Sequence, residues 1–497
     1  MTEPRSRPLI DRRQFVEQVG GGLYRAALVA LLGREWRRWD LKAEAPSVTP
    51  LSSTPSPDLN PDLSPRAPHF SPRAKSVIHL FMNGGPSQMD LFDPKPELTR
   101  LHGQSYFDRI AGEVENPQAA GALMGSPFEF KRHGQSGMWV SEVMPHFARC
   151  VDQVTMIRSM FTTSITHEPS LFQFHSGRLR PGHPSLGSWV SYALGTENQN
   201  LPAYIVLDDP KGPPINRDQN WNSGYISPLF QGTKFRSEGA PVLDLEARGD
   251  VSDRLRALER NLIRTLDRKH QSDRPFQPRL GARIATYELA ARMQLEAADV
   301  LDLSQEDQGT LERYGIGQEE TDSYGKRCLI ARRLVERGVR FVQLFINGQI
   351  WDHHTGIGSG LRSASRRTDQ PVAALLSDLQ ERGLMEEVLV IWGGEMGRLP
   401  IAQLDAKQDP AKSGRDHNKN AMVTWMAGAG VKRGHLHGET DELGLAAVRD
   451  RVSVPDFHAT LLHLLGLDHA TLSVNNNGLE ERLTGVNECR VIREILA

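Results

Sequence analysis

Cysteine is scarce in this chain of 497 residues: Cys150, Cys328 and Cys489 are odd in number and far apart. They form neither a C-x-x-C zinc pattern nor a disulfide framework, so each reads as a small buried apolar residue. An excess of basic charge is also missing. Lys and Arg number 59 against 61 Asp and Glu, for a formal net charge of -2, which excludes a broad electrostatic field for nucleic acid. Long apolar runs are lacking too. The weakly hydrophobic stretch from Val19 to Gly33 is interrupted by Arg25 and is too short to span a bilayer. No transmembrane span is therefore expected in the mature chain.

The N-terminus carries Asp11-Arg12-Arg13-Gln14-Phe15-Val16 ahead of that stretch. Paired arginines before a weakly hydrophobic segment suggest a twin-arginine export signal over residues 1–45, with Ala43-Glu44-Ala45 as an A-x-A-like cleavage site. The expected partner is then the twin-arginine export machinery, and the expected location the periplasm or cell envelope. The alternative is a basic amphipathic helix that stays with the protein, since Arg34, Arg37 and Arg38 follow closely. Residues 46–74 are rich in Pro, Ser, Asp and Asn and poor in large apolar residues, the composition of a disordered spacer.

From Lys75 to the end the rhythm is α/β. Short apolar runs at Val77–Met82, Val154–Ile157, Ala203–Leu207, Val339–Ile346, Val388–Trp392 and Val423–Met426 predict buried strands. Helices are predicted over Ser141–Ala148, from near Pro169, over Cys328–Leu334 and Pro371–Leu379, and from Asp456, which is placed to cap its helix. Between 243 and 315 apolar residues recur at three- and four-residue steps, which predicts a helical insertion. The expected architecture is a doubly wound, mostly parallel central sheet with helices on both faces, its strands at Val77, Val339 and Val388 being neighbours or near-neighbours.

Chemistry concentrates where strands end. Asp90 and Asp93 follow the first strand, Asp352-His353-His354 follow another, and Gly393-Gly394-Glu395 with Asp416-His417 follow a third. A parallel sheet brings such ends to one edge. Mixed Asp, Glu and His donors suit Zn, Mn or Fe, and a carboxylate-rich site also accepts Ca or Mg.

The stretches from Lys75 to Pro96, Trp351-Asp352 with His354, Gly393 to Arg398, Gly414 to Asn418 and Asp456 to Leu467 are together similar to the exported bacterial family catalogued as domain of unknown function 1501. That family in turn resembles the alkaline phosphatase–sulfatase superfamily, which implies metal-assisted phosphoryl or sulfuryl transfer. By this likeness Asp352, His354 and His417 form one metal site, and Glu395 belongs to a second with Asp90 or Asn83. Asp416 adjoins them. His167-Glu168-Pro169-Ser170 stands where a sulfatase carries its modified Cys-x-Pro-Ser, which makes His167 the candidate for the attacking position. A phosphodiesterase-like register selects Thr163 instead, and Thr166 lies between. Asn83 replaces the usual first-strand Asp, and Met396 replaces the His or Asn expected after the carboxylate.

Two functions remain open on this basis. One is an exported hydrolase of sulfate or phosphate esters, glycan esters included, using a divalent ion, with Arg398 or Arg158 offsetting substrate charge. The other is a catalytically inactive binding or scaffold protein of the same fold.

Overall fold

Two six-residue runs, Ser76–Phe81 and Val388–Gly393, are buried at every position. Strands covered on both faces have this character, and these two lie side by side at the centre of a nine-stranded sheet. The computed structural model describes residues 61–236, 252–274, 277–404, 412–486 and 488–497. The expected export signal, the spacer up to residue 60 and the start of the insertion (243–251) fall outside the described residues. Along the chain the sheet strands are β1 (Ser76–Phe81), β2 (Val154–Phe161), β3 (Tyr204–Leu207), β4 (Thr233–Phe235), β5 (Phe341–Phe345), β6 (Val388–Gly393), β7 (Met422–Ala427), β8 (His435–His437) and β9 (Val452–Ser453). Their order across the sheet is β8-β2-β7-β6-β1-β5-β3-β4, with β9 beside β2.

Strand β1 is parallel to both neighbours: Val77 faces Phe341 on β5 and Leu389 on β6. The three strands expected to be neighbours are therefore adjacent. β7 pairs antiparallel with β6 and β2, and every other pairing in this sheet is parallel, so the sheet is mixed and mostly parallel.

Helices cover both faces. On one, His79 and Phe81 meet Phe174 and His175 of α1 (His167–Ser176). On the other, Trp392 and Trp425 are in register and stack with centroids 6.0 Å apart. Phe147 packs on Trp425, and the backbone N–H groups of His146 and Phe147 donate to Asp369 of a long helix, Ile357–Glu381. Among the described residues no helix is long and apolar enough to cross a membrane.

Several local expectations are corrected. Ser141–Ala148 is not a helix. Met138–Ser141 pairs as a strand with Phe130–His133, and only Phe147–Arg149 makes a short 3-10 turn. Pro145 explains this, because proline disfavours helical geometry at the residue before it. The helix expected from Pro371 begins at Ile357 and carries Pro371 inside it. Gly358, Gly360 and the serines lower helix propensity there, but burial of Leu361, Ala364 and Thr368 overrides it. The last helix, Val454–Leu464, is capped by Ser453, with Asp456 completing a capping box from inside.

Residues 61–74, expected to continue the spacer, instead run along the folded body. Leu63 and Ala74 are buried, Thr196 N–H donates to the Leu63 carbonyl, and Ala74 N–H to that of Leu464. The described part of the insertion is helical: Asp253–Ser272 and Pro278–Leu301, then shorter turns. The second of these helices buries Leu289, Met293 and Val300 in the main core. The first does not bury its leucine face. Leu255, Leu258, Leu262 and Leu266 are exposed, and its polar side reaches the second helix through Arg264 and Glu288, 3.0 Å apart.

Candidate metal centre

β1, β5 and β6 run parallel, so the loops after them emerge at one edge, and that edge holds the cluster. Asp352 lies on the loop after β5, and Glu395 lies just past the end of β6. His167 opens α1 after β2. His417 arrives from the strand Gly414–Asn418, part of a small outer sheet with Gly397–Gln403 and Ala120–Leu123. That strand leads into β7, whose antiparallel direction puts its start at the same edge. Gly84 is part of the same construction. Its φ of +105° and the 2.6 Å that a Cβ would leave to Asp352 N both require glycine.

Donor atoms of His167, Asp352, His354 and His417 all lie within 4.8 Å of one another. Each imidazole has its Nδ1 held by an acceptor. His167 Nδ1 is 2.6 Å from Glu395 Oε1, and His354 Nδ1 is 2.5 Å from Gln403 Oε1. His417 Nδ1 is 2.8 Å from the Ile165 carbonyl and 2.5 Å from Glu115 Oε2. The three Nε2 atoms therefore turn to Asp352, at 3.2 Å from His167, 2.9 Å from His354 and 3.5 Å from His417. Nε2 of His167 and His417 and Oδ1 of Asp352 are buried without an aligned hydrogen-bond partner among the described residues. Such donors, backed on the far ring nitrogen by carboxylate or carbonyl, are the usual surroundings of a metal-bound histidine. The residues present fit a divalent ion.

Charge reinforces the cluster. Burial opposes ionisation of Asp352, but the Arg398 guanidinium and the three imidazoles outweigh it and hold the carboxyl far below the usual carboxylate range. Burial pulls His167 down, yet the carboxylates of Asp352 and Glu395 push it up to about 9. His354 is raised for the same reason, Asp352 prevailing over burial. The hydrogen bond from His417 lowers Glu115.

The other candidate residues have partners of their own. Asp90 is fully buried in a pair with Arg415, with Nε–Oδ2 2.6 Å and Nη2–Oδ1 3.1 Å, and it also accepts from Ser87 Oγ at 2.5 Å. Asn83 gives its amide N–H groups to the carbonyls of Ile346 and Gly348. Asp416 accepts the backbone N–H groups of Glu115, Asn116 and His417, and with Glu115 and His417 it forms a second close set of donors. Glu395 accepts from Gly84 N–H at 3.0 Å and backs His167.

Neither arginine expected at a substrate is free for one. Arg398 is buried, its Nη2 2.7 Å from Asp352 Oδ1, and it also donates to the carbonyls of Gly84, Gly85 and Arg415. Arg158 pairs with Asp93 at 3.4 Å and donates to Gly438. Thr163 Oγ1 donates to Gln173 Oε1 at 2.8 Å, and Thr166 Oγ1 lies 3.1 Å from Ser164 Oγ at the exposed N-cap of α1. His167, cast as the attacker, lies among the metal donors. Glu115 and Gln403 had no signal in the sequence, because only folding brings Gln403 of the outer sheet, and Glu115 of the segment before it, to the imidazoles.

A mixed α/β sheet with three imidazoles and a carboxylate gathered at its strand ends defines an α/β protein with a candidate metal centre. The chain belongs to the family described as Protein of unknown function (DUF1501), whose model matches residues 74–496. Comparison with curated proteins returned no match. Among solved structures it is similar to the lipoteichoic acid synthase LtaP from Listeria monocytogenes, at 9% identity over 85% of this chain and 78% of that one, with a TM-score of 0.36. It is similar to the PsFucS1 sulfatase from Pseudoalteromonas sp., at 12% identity over 80% and 68% of the two chains, with a TM-score of 0.33. It is also similar to alkaline phosphatase from the Antarctic bacterium TAB5, at 13% identity over 72% and 92%, with a TM-score of 0.29.

Proposed function

We propose that the chain is an exported, divalent-metal-dependent hydrolase of sulfate or phosphate esters, glycan esters among them. The observation that carries this reading is the convergence of the Nε2 atoms of His354 and His417 on Asp352, with His167 beside them. When bound, a divalent ion there polarises an ester oxygen and offsets its charge. The chain's own contribution is positional. The Thr166 side chain does not cap α1, and Pro169 has no N–H, so the backbone N–H groups of His167 and Glu168 are the ones open to an anionic ester at the same edge. Arg398 holds Asp352 in place rather than meeting substrate. Thr163 and Thr166 hydrogen-bond to Gln173 and Ser164, and in this reading water is the attacking group. The twin-arginine motif supports export.

Release of nitrophenol from aryl sulfate and aryl phosphate by metal-loaded protein tests the reading, with Asp352→Ala and His417→Ala as controls. Turnover abolished in both variants is the expected result. A second reading, a catalytically inactive binding protein of the cell envelope, draws support from the engaged threonines and arginines. Binding of a sulfated or phosphorylated glycan with no turnover on a broad ester panel decides for it.

A further inference from the structure

We infer that His167 is itself a metal ligand, with Glu395 as its positioning residue, and that the site is a three-imidazole, one-carboxylate centre for a zinc- or manganese-type ion rather than for calcium or magnesium. The inference rests on the metal-dependent reading above and assigns the position that the sulfatase-like register would give to a nucleophile.

A neutral imidazole has one N–H and one lone pair, and the partner of one nitrogen fixes the state of the other. Glu395 is fully buried, is anchored by Gly84 N–H, and takes the N–H of His167 Nδ1. In the neutral ring the lone pair of His167 then sits on Nε2, which lies 3.2 Å from Asp352 Oδ2. His354 and His417 repeat the arrangement through Gln403 and through Ile165 with Glu115. Nε2 of His167 and His417 and Oδ1 of Asp352 are buried without an aligned hydrogen-bond partner among the described residues, and all four donor atoms lie within 4.8 Å of one another, so a cation among them supplies the missing partner. A single metal ion satisfies all four donors.

An attacking histidine would also need a carboxylate behind Nδ1, so that contact alone does not decide its role. The surroundings of Nε2 do. An attacker requires open space for substrate in front of Nε2, whereas here the donor atoms of Asp352, His354 and His417 occupy it. Imidazole-rich sites suit zinc, manganese and iron, while calcium and magnesium prefer all-oxygen shells.

The test uses the full-length protein, stripped with chelator and titrated with Zn²⁺ by calorimetry and with Co²⁺ by visible absorption. His167→Ala is expected to lower Zn²⁺ affinity by roughly 100-fold or more and to change the Co²⁺ bands. Glu395→Gln should weaken binding by roughly 10- to 100-fold, as loss of an outer carboxylate does. X-ray absorption on the zinc-loaded wild type needs no variant to fold and should count three imidazoles. Two imidazoles, an unchanged affinity and spectrum in His167→Ala, or a phosphoryl or sulfuryl adduct on His167 by mass spectrometry overturns the inference and leaves the metal-dependent reading intact. Failure of the wild type to bind either ion defeats that reading itself.

Discussion

His167 and Glu395 are separated by 228 positions in the chain, yet Nδ1 and Oε1 lie 2.6 Å apart with the carboxylate fully buried. The pair joins the start of α1 to the end of β6. Removing the imidazole leaves a buried carboxylate with the Gly84 N–H as its hydrogen-bond donor among the described residues. His167→Ala should therefore destabilise the metal-free fold by about 3 kcal/mol, the cost of leaving one member of a buried pair uncompensated. Urea unfolding in the presence of chelator measures it, and a change under about 0.5 kcal/mol, as for an ordinary surface site, contradicts it.

Arg398 makes a parallel case. It is buried, pairs by charge with Asp352 and donates to the carbonyls of Gly84 and Gly85. Arg398→Lys keeps a charge but loses the planar fork, and should cost about 2 kcal/mol in the metal-free protein. If Arg398 served substrate instead, the same variant would raise KM with stability unchanged.

Acid should destabilise the protein from within the core. His79, His175 and His458 are buried, and burial lowers all three: His79 to about 3, His458 to about 4, and His175 well below its usual 6.5. The unfolded chain takes up these protons below about pH 6.5 and the folded chain refuses them, so the contribution of these three histidines is full above that pH and falls as pH drops toward 4. Each histidine contributes a slope of about 1.4 kcal/mol per pH unit. His458→Gln retains a donor for the Phe174 carbonyl and should flatten the dependence by one histidine's share. An unchanged slope between pH 6 and 4.5 refutes the assignment.

The two helices of the insertion should respond differently to truncation. Leu289 is buried against the main core, and Leu289→Ala should cost about 2–5 kcal/mol. Leu258 is exposed, and Leu258→Ser should stay within about 0.5 kcal/mol. Equal losses at the two positions contradict the packing described.

What the sequence disclosed follows from how local each signal was. β1, β5 and β6 were legible because a doubly covered strand is a short apolar run bounded by turn residues. Asp352, His354 and His417 were legible as a group through the family resemblance, and the structure brings their side chains together. Asp90 was not, because its partner Arg415 lies 325 positions away and meets it only in the folded chain. Asn83 looked like a ligand by position, while its amide serves the loop after β5. Arg398 looked exposed to substrate because nothing local shows a guanidinium that its neighbours' carbonyls will surround. The long helix through Pro371 was hidden by glycine and serine, whose low propensity tertiary burial overrides.

The central claim is that these side chains hold a divalent ion, and elemental analysis of protein purified without chelator tests it most directly. The account predicts roughly one zinc- or manganese-type ion per chain, in keeping with a four-donor site, and its loss in Asp352→Ala and His417→Ala variants that remain folded. Wild-type protein with no more metal than a chelator-treated control, and no uptake of added Zn²⁺ or Mn²⁺, would contradict it.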